Sequence, residues 1–271
     1  MGTFRLVGVL HLPPLPGAAN YTGQSVQGMA EAAAEDARLL SAAGFSDVMV
    51  QDASDNPQPV TVGPATIAAM TAIGVEVRRA TEISLGVVAG HNDGAASVAI
   101  AHAIGAQFVR VKVLTGVSVG PTGWIKGCSM QVASVKRLIG SNVEVWADAH
   151  EATSAALTGD TRRAAAEAIA FGGAHTIIVT RDSGVPDALE DIAAVKNTIG
   201  SGVNVLIGGR VTATTLAAAM QGSDGAILGS ALKDGSGYGA RIDSVAAHAM
   251  GDVYRAFIAQ CNDGVSAHQL L

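Results

Sequence analysis

Aromatic residues are scarce, at 4% of 271 positions, and charged residues reach only 15%. A core this poor in aromatics must be filled by aliphatic and alanine side chains, which suits closely packed helices and strands better than a sandwich. Cysteine occurs twice, at Cys128 and Cys261, without metal-ligand spacing. Neither a disulfide framework nor a zinc site is expected, and a reducing cytoplasm is the default location. A positive excess is also missing. The net charge is −6, with no basic run and no basic stripe studded with aromatics. That argues against nucleic acid as a partner. Mean hydropathy is high, +0.35, yet no apolar run reaches the roughly 18 residues that span a bilayer. The start, MGTFRLVGVLHLPPLPG, lacks the cationic head and cleavage site of a secretion signal and reads as a first strand.

What is present is an alternation of two patterns. Apolar runs fall at 4–10, 47–51, 84–89, 107–114, 143–147, 176–180, 203–207 and 225–228. Alanine-rich helical stretches follow at 25–43, 64–81, 94–104, 129–139, 160–171, 188–199, 213–220 and 244–260. The strands are continuously apolar, which indicates burial on both faces, as in a parallel sheet. Eight strand–helix repeats in strict order predict one closed (β/α)8 barrel over residues 1–271. A doubly wound open sheet is the alternative. Against it, the glycine-rich turns come late, not after the first strand where a dinucleotide fingerprint would lie.

Barrel enzymes build their sites at the carboxyl ends of the strands. That rule nominates His11 after strand one, held by the stiff Leu-Pro-Pro-Leu-Pro-Gly segment. It nominates Asp52 and Asp55 after strand two, and His91 and Asn92 after strand three. Arg110 and Lys112 alternate on strand four and so share one face. Asp148 and Thr180 end strands five and six, with His150 just beyond the former. Buried charges need partners, and Asp148, with Asp52 across the barrel, is the expected counter-charge. The cluster reads either as a layer of salt bridges that fills the barrel or as a carboxylate base beside charge-stabilising cations. A lysine so placed can also lose its proton and form a Schiff base. Gly208 and Gly209 end strand seven, with Arg210 next. Gly229 and Ser230 end strand eight. Bare amides at these two turns, with a short helix in SALKDG, suit a phosphate, and Arg210 could add a charge-assisted contact. The plain alternative is that the glycines only permit tight turns. Thr212 is the expected cap of the helix after strand seven. Trp124 lies in the longest glycine-rich loop, as a lid or as packing. His91 and His150 read as solvent-facing or hydrogen-bonded loop residues. No metal or cofactor is expected, since Asp52 and Asp55 with scattered histidines have no diagnostic spacing.

Taken together, GVLHLPPLPG, SDVMVQDASDNP, the Glu-Val-Arg-Arg segment at 76–79, GAQFVRVKVLTGVSVGPTGWIKG and VLIGGRVT resemble the BtpA family along nearly the whole chain. The resemblance implies a phosphate-binding (β/α)8 barrel. Its founding cyanobacterial member is linked to photosystem I biogenesis. This chain departs from the family pattern at Gln51-Asp52, where Glu-Asn is usual, and at Lys112, where Asn is usual. It also reads Gly208-Gly209-Arg210 in place of a Gly-Ser-Gly-like turn. The expected function is an enzyme acting on a small phosphorylated, ribose-like or nucleoside-like metabolite. It would be a hydrolase, lyase or isomerase working by acid/base cleavage of a glycosidic or related bond. Asp148 or Asp52 would be the acid/base, with Lys112 and Arg110 stabilising charge. The rivals are a non-catalytic assembly factor for a membrane complex and an inactive phosphate-ligand sensor. A homo-oligomer is expected from the weakly charged, alanine-rich helices.

Overall fold

A computed structural model describes residues 4–157, 159–233, 235, 237 and 239–268, the last eight by backbone alone. Eight parallel strands close into a barrel. They are β1 (Arg5–His11), β2 (Asp47–Gln51), β3 (Ser84–Val88), β4 (Phe108–Val111), β7 (Glu144–His150), β9 (Thr176–Val179), β10 (Asn204–Gly208) and β11 (Gly225–Leu228). Each pairs with the next in this order, and β1 pairs with β11, Leu6 opposite Ala226 and Gly8 opposite Leu228. That pairing closes the ring and rules out the open doubly wound sheet.

The helices between them are α1 (Val26–Ala43), α2 (Pro64–Ala80), α3 (Gly94–Ile104), α4 (Ser129–Ile139), α5 (Thr161–Ala170), α6 (Val185–Ile199), α7 (Leu216–Gly222) and α8 (Ser244–His268). Their starts carry local signals. Ser25 accepts from the Gly28 amide, Asp93 from that of Ala96, and Asp160 from those of Arg162 and Arg163, each satisfying donors that a first turn leaves open. Pro64 and Pro186 lie in first turns, where a missing N–H costs nothing. Between helices and sheet lies one large aliphatic layer that includes Leu6, Leu40, Ile73, Val109, Ile177 and Ile192.

A second cluster fills the barrel itself: Val7, Val9, Met49, Val88, Phe108, Trp146, Ile178, Leu206 and Ile227. Phe108 and Trp146 stack with ring centroids 3.6 Å apart. The Arg5 guanidinium sits 4.5 Å from the centroid of the Trp146 ring, and its Nε donates to Asp47 Oδ2 at 3.2 Å. Two of the ten aromatics, Phe108 and Trp146, are thus spent on plugging the amino end.

Several boundaries differ from the sequence reading. β4 leaves the ladder at Val111, so Lys112 lies just past it, while β7 runs on to His150 through an irregularity after Asp148. Helix α6 begins at Val185. Helix α7 begins at Leu216 with Thr215 at its cap; Thr212 sits a turn earlier, its carbonyl accepting from the Thr215 and Leu216 amides. The glycine-rich loop forms a hairpin of β5 (Val117–Gly120) and β6 (Gly123–Lys126), joined by β8 (Ala155–Ala156). A 3-10 turn spans Ser230–Leu232 within SALKDG, of which residue 234 lies outside the described residues. Cys128 is a buried free thiol pushed up to about 11 by burial; the Cys261 side chain lies outside the described residues.

Candidate active site at the carboxyl ends of the strands

With the amino end closed by side chains, the polar interior lies toward the carboxyl ends. Phe108, Arg110 and Lys112 occupy alternate positions of one segment. Phe108 points into the barrel core, so the two cations follow it upward on the same face. Arg110 reaches across to β7. Its Nε donates to Asp148 Oδ1 at 2.9 Å and its Nη2 to Oδ2 at 2.6 Å. The Asp148 side chain has no exposure at all. Two parallel bonds to both oxygens are the geometry of an ionised carboxylate held by a guanidinium.

Lys112 is different. It is 9% exposed, and no carboxylate lies within 4 Å of its ammonium among the described residues, nor does any hydrogen bond hold it. Burial lowers its pKa, and the neighbouring Arg110 charge lowers it further against the attraction of Glu151, Asp148 and Asp52. Within reach of its charge lie two buried polar atoms without hydrogen-bond partners, His91 Nε2 and Glu151 Oε1; a third, Thr180 Oγ1, lies at the Gly208 turn. His91 Nε2 and Glu151 Oε1 face each other at 3.9 Å, beyond direct bonding distance. Burial pushes Glu151 up. Donors from Ser154 and Thr153 and the Lys112 charge outweigh this, leaving it below the usual carboxylate range. Burial and the Lys112 charge lower His91. Burial drives His11 down to about 3, helped by the charges of Lys233, Arg110 and Lys112, so its imidazole is neutral. Burial pushes Asp52 up to about 6, against the bond that its Oδ2 accepts from the Gly90 amide at 2.8 Å.

The glycine turns lie on the opposite side of the ring. A methyl on Gly208 would stand 2.2 Å from Thr180 Oγ1, and one on Gly229 would stand 2.7 Å from His11 Cε1. Both positions therefore need glycine so that Thr180 and His11 can lie flat against the backbone. The Gly209 amide is already committed, donating to Ile227 O at 3.1 Å. Ser230 is exposed at the start of its 3-10 turn. Arg210 has a left-handed backbone (φ 58°), and its guanidinium pairs with the exposed Asp182 at 3.3 Å, turned outward along the rim.

Two further nominated residues hold the scaffold together. Asn92 donates to Val113 O and Lys126 O and accepts from the Val113 amide, which ties the end of β4 to the hairpin. Asp55 accepts from the Leu15 amide at 2.9 Å and so anchors the proline-rich loop behind His11. Contrary to the loop reading, His91 is buried, at 6% exposure; His150 bonds Thr180 O through Nδ1. Glu151 escaped sequence reasoning because β7 was expected to end near Ala147. The ladder's extension to His150 makes Glu151 the rim residue, and a charge directly after a buried strand was the available signal. Two open grooves of about 470 and 520 Å³ lie elsewhere, one beside Val132 and Lys136, the other beside Arg5 and Glu144. No helix among the described residues is long and apolar enough to cross a membrane.

Fold and site define a class: (β/α)8 barrels with a charged carboxyl-end interior. Residues 3–254 match the model of the BtpA family, and the chain belongs to that family. It is 35% identical over 230 residues to an uncharacterized protein of Pyrococcus furiosus, covering 84% of this chain and 86% of the relative. It is 31% identical over 243 residues to the photosystem I biogenesis protein BtpA of Synechocystis, covering 89% and 84%. Among solved structures, native KDPGal aligns with a TM-score of 0.58 at 19% identity, over 96% of this chain and 98% of that one. Orotidine 5'-phosphate decarboxylase from Pyrococcus horikoshii aligns with a TM-score of 0.57 at 16% identity, over 92% and 99%. At these identities the structural likeness concerns the fold.

Proposed function

We propose that this protein is a cytoplasmic enzyme, working as a homo-oligomer, that acts on a small phosphorylated, ribose-like metabolite by acid/base bond cleavage. The observation that carries the reading is Lys112: a buried cation with no ion partner, surrounded by polar atoms that also lack partners. Leaving the buried His91 Nε2 and Glu151 Oε1 unsatisfied costs on the order of 1–3 kcal/mol each, a cost that a bound ligand would offset. The phosphate end would lie at Gly208, Gly229 and Ser230, on the side of the ring where barrels of this class commonly bind phosphate. The reacting end would lie between Lys112, His11 and Asp148. Lys112 and Arg110 would stabilise developing negative charge. Asp52, which changes protonation near pH 6, suits proton exchange at working pH.

A panel of sugar phosphates and nucleotides in a thermal-shift assay tests this directly. A ligand at 100 times its Kd should stabilise the folded chain by about 2.7 kcal/mol, a rise of roughly 5–10 °C for a chain of this length. Lys112→Met should abolish the rise. If no member of the panel shifts the transition, or if Lys112→Ala and Asp148→Ala both leave turnover of a hit unchanged, the assignment is wrong.

A second reading, as an assembly factor, draws on the Synechocystis relative and on one surface. Val119, Trp124 and Leu157 are 39%, 65% and 60% exposed on the small sheet of β5, β6 and β8. Association with vesicles at moderate salt that Trp124→Ser removes would favour it.

A further inference from the structure

Burial without a counter-ion gives Lys112 two possible uses. It can act as a fixed charge, or it can shed its proton and act as an amine. The surroundings discriminate between them. Arg110, one residue removed on the same face, is already a permanent cation and is saturated by Asp148 through two bonds. A second fixed cation beside it adds repulsion at a place where a positive charge is already supplied. Lys112 has no such pair. Its pKa is lowered by burial and by Arg110, so a larger share of it is neutral amine than for a lysine in water. Glu151 and His91 lie within its electrostatic field, and their bare polar atoms, Oε1 and Nε2, face each other at 3.9 Å. The Glu151 carboxylate is held from its other oxygen by the Thr153 amide, which donates to Oε2 at 2.8 Å. That leaves Oε1 without a hydrogen bond, on a carboxylate whose charge the Ser154 and Thr153 donors hold.

We propose that Lys112 is an imine-forming amine, with Glu151 as its proton carrier, and that the substrate of this site is an open-chain sugar phosphate bearing an aldehyde or ketone. This rests on the phosphorylated-metabolite reading above, narrows its substrate class to carbonyl compounds, and replaces the charge-stabilising role of Lys112 with that of a nucleophile, leaving charge stabilisation to Arg110.

The step balances without any outside reagent. The Nζ lone pair adds to the carbonyl carbon, a C–N bond forms, and the C=O π pair moves to oxygen. Glu151 takes a proton from the nitrogen and delivers it to that oxygen, giving a carbinolamine. The C–O bond then breaks, the oxygen leaves as water after taking up a second proton that the nitrogen loses through Glu151, and the nitrogen lone pair closes the C=N bond. One carbonyl compound and one amine give one imine and one water. Protonation of that imine makes an electron sink for cleaving or shifting a neighbouring bond. Nothing else in the site needs to accept electrons.

The experiment combines trapping with binding. The full-length protein is treated with ribose 5-phosphate and sodium cyanoborohydride at pH 7, then digested and analysed by mass spectrometry. In parallel, ribitol 5-phosphate, which keeps the phosphate and lacks the carbonyl, is tested for its effect on the melting temperature. The expected result is a mass gain of one pentose phosphate less one oxygen on the peptide carrying Lys112. It should clearly exceed labelling of the exposed Lys126, because the free amine is the nucleophile. Glu151→Gln should slow this labelling by roughly 100-fold, the low end for a lost proton carrier. Lys112→Arg, which keeps the charge, should remove it. Stabilisation by ribitol 5-phosphate with no label, or with label spread evenly over surface lysines, overturns the imine role and leaves the phosphate reading standing. Absence of both stabilisation and label overturns the two together. Label at Lys112 without stabilisation supports the amine role and removes the phosphate.

Discussion

Asp52 shows how one buried carboxyl makes stability depend on pH. It has no solvent exposure, and burial lifts it to about 6, whereas the unfolded value is about 3.9. A carboxyl with a raised folded pKa binds a proton that the unfolded chain gives up. Its contribution is therefore complete below about pH 4 and is lost as pH rises through about 6. Asp52→Asn removes this titration. The melting temperature of the variant relative to wild type should climb between pH 4 and pH 8, by the equivalent of on the order of 3 kcal/mol. A difference that stays flat with pH would contradict a burial-driven shift. His11 works in the opposite direction. Its depression to about 3 supplies stability above pH 6.5 that fades as pH falls toward 3, so the Asn variant is needed to isolate the Asp52 part. The sequence placed both residues at the rim, but neither value was readable there, because each depends on neighbours from other strands.

At the scale of elements, β4 and β7 are clamped by the Arg110–Asp148 pair in addition to their ladder. Breaking one partner of a buried pair leaves an uncompensated charge, whereas replacing both can cost little. Arg110→Met should therefore lose about 3–5 kcal/mol in urea unfolding. The double variant Arg110→Met with Asp148→Leu should recover most of it. If the double variant is no more stable than the single one, the pair is not what holds these positions. The strands themselves were legible as apolar runs, and Asp93 and Asp160 lie at true helix starts. The hairpin of β5 and β6 was not legible, since its strands are four residues each, bounded by Gly116, Gly120, Gly123 and Gly127, and only Ile125, fully buried, and Ser118 opposite it fasten the sheet downward. Thr212 was misjudged as the cap because three threonines compete there, and the bond from the Thr212 amide to Thr215 Oγ1 delays the helix.

Across the whole molecule, closure of β1 on β11 makes the barrel interior depend on every strand at once. The two tryptophans report on this separately. Trp146 is fully buried in the interior stack, while Trp124 is 65% exposed on the hairpin. In Trp124→Phe, fluorescence comes from Trp146 alone. Its urea transition should coincide with loss of helical signal by circular dichroism, as a cooperative barrel requires. Separate midpoints would mean that part of the barrel opens independently.

The order of the eight repeats, the apolar strands and the rim residues follow from the sequence by itself, because periodicity and turn chemistry are local properties of the chain. Which rim residues meet was decided only by the tertiary structure. Arg110 and Asp148 are 38 residues apart, and barrel closure determines that they pair, that Lys112 is left without a counter-ion, and that Glu151 turns in beside His91. Charge pairing and burial are properties of distances through space, and those distances come into being only when the ring is complete.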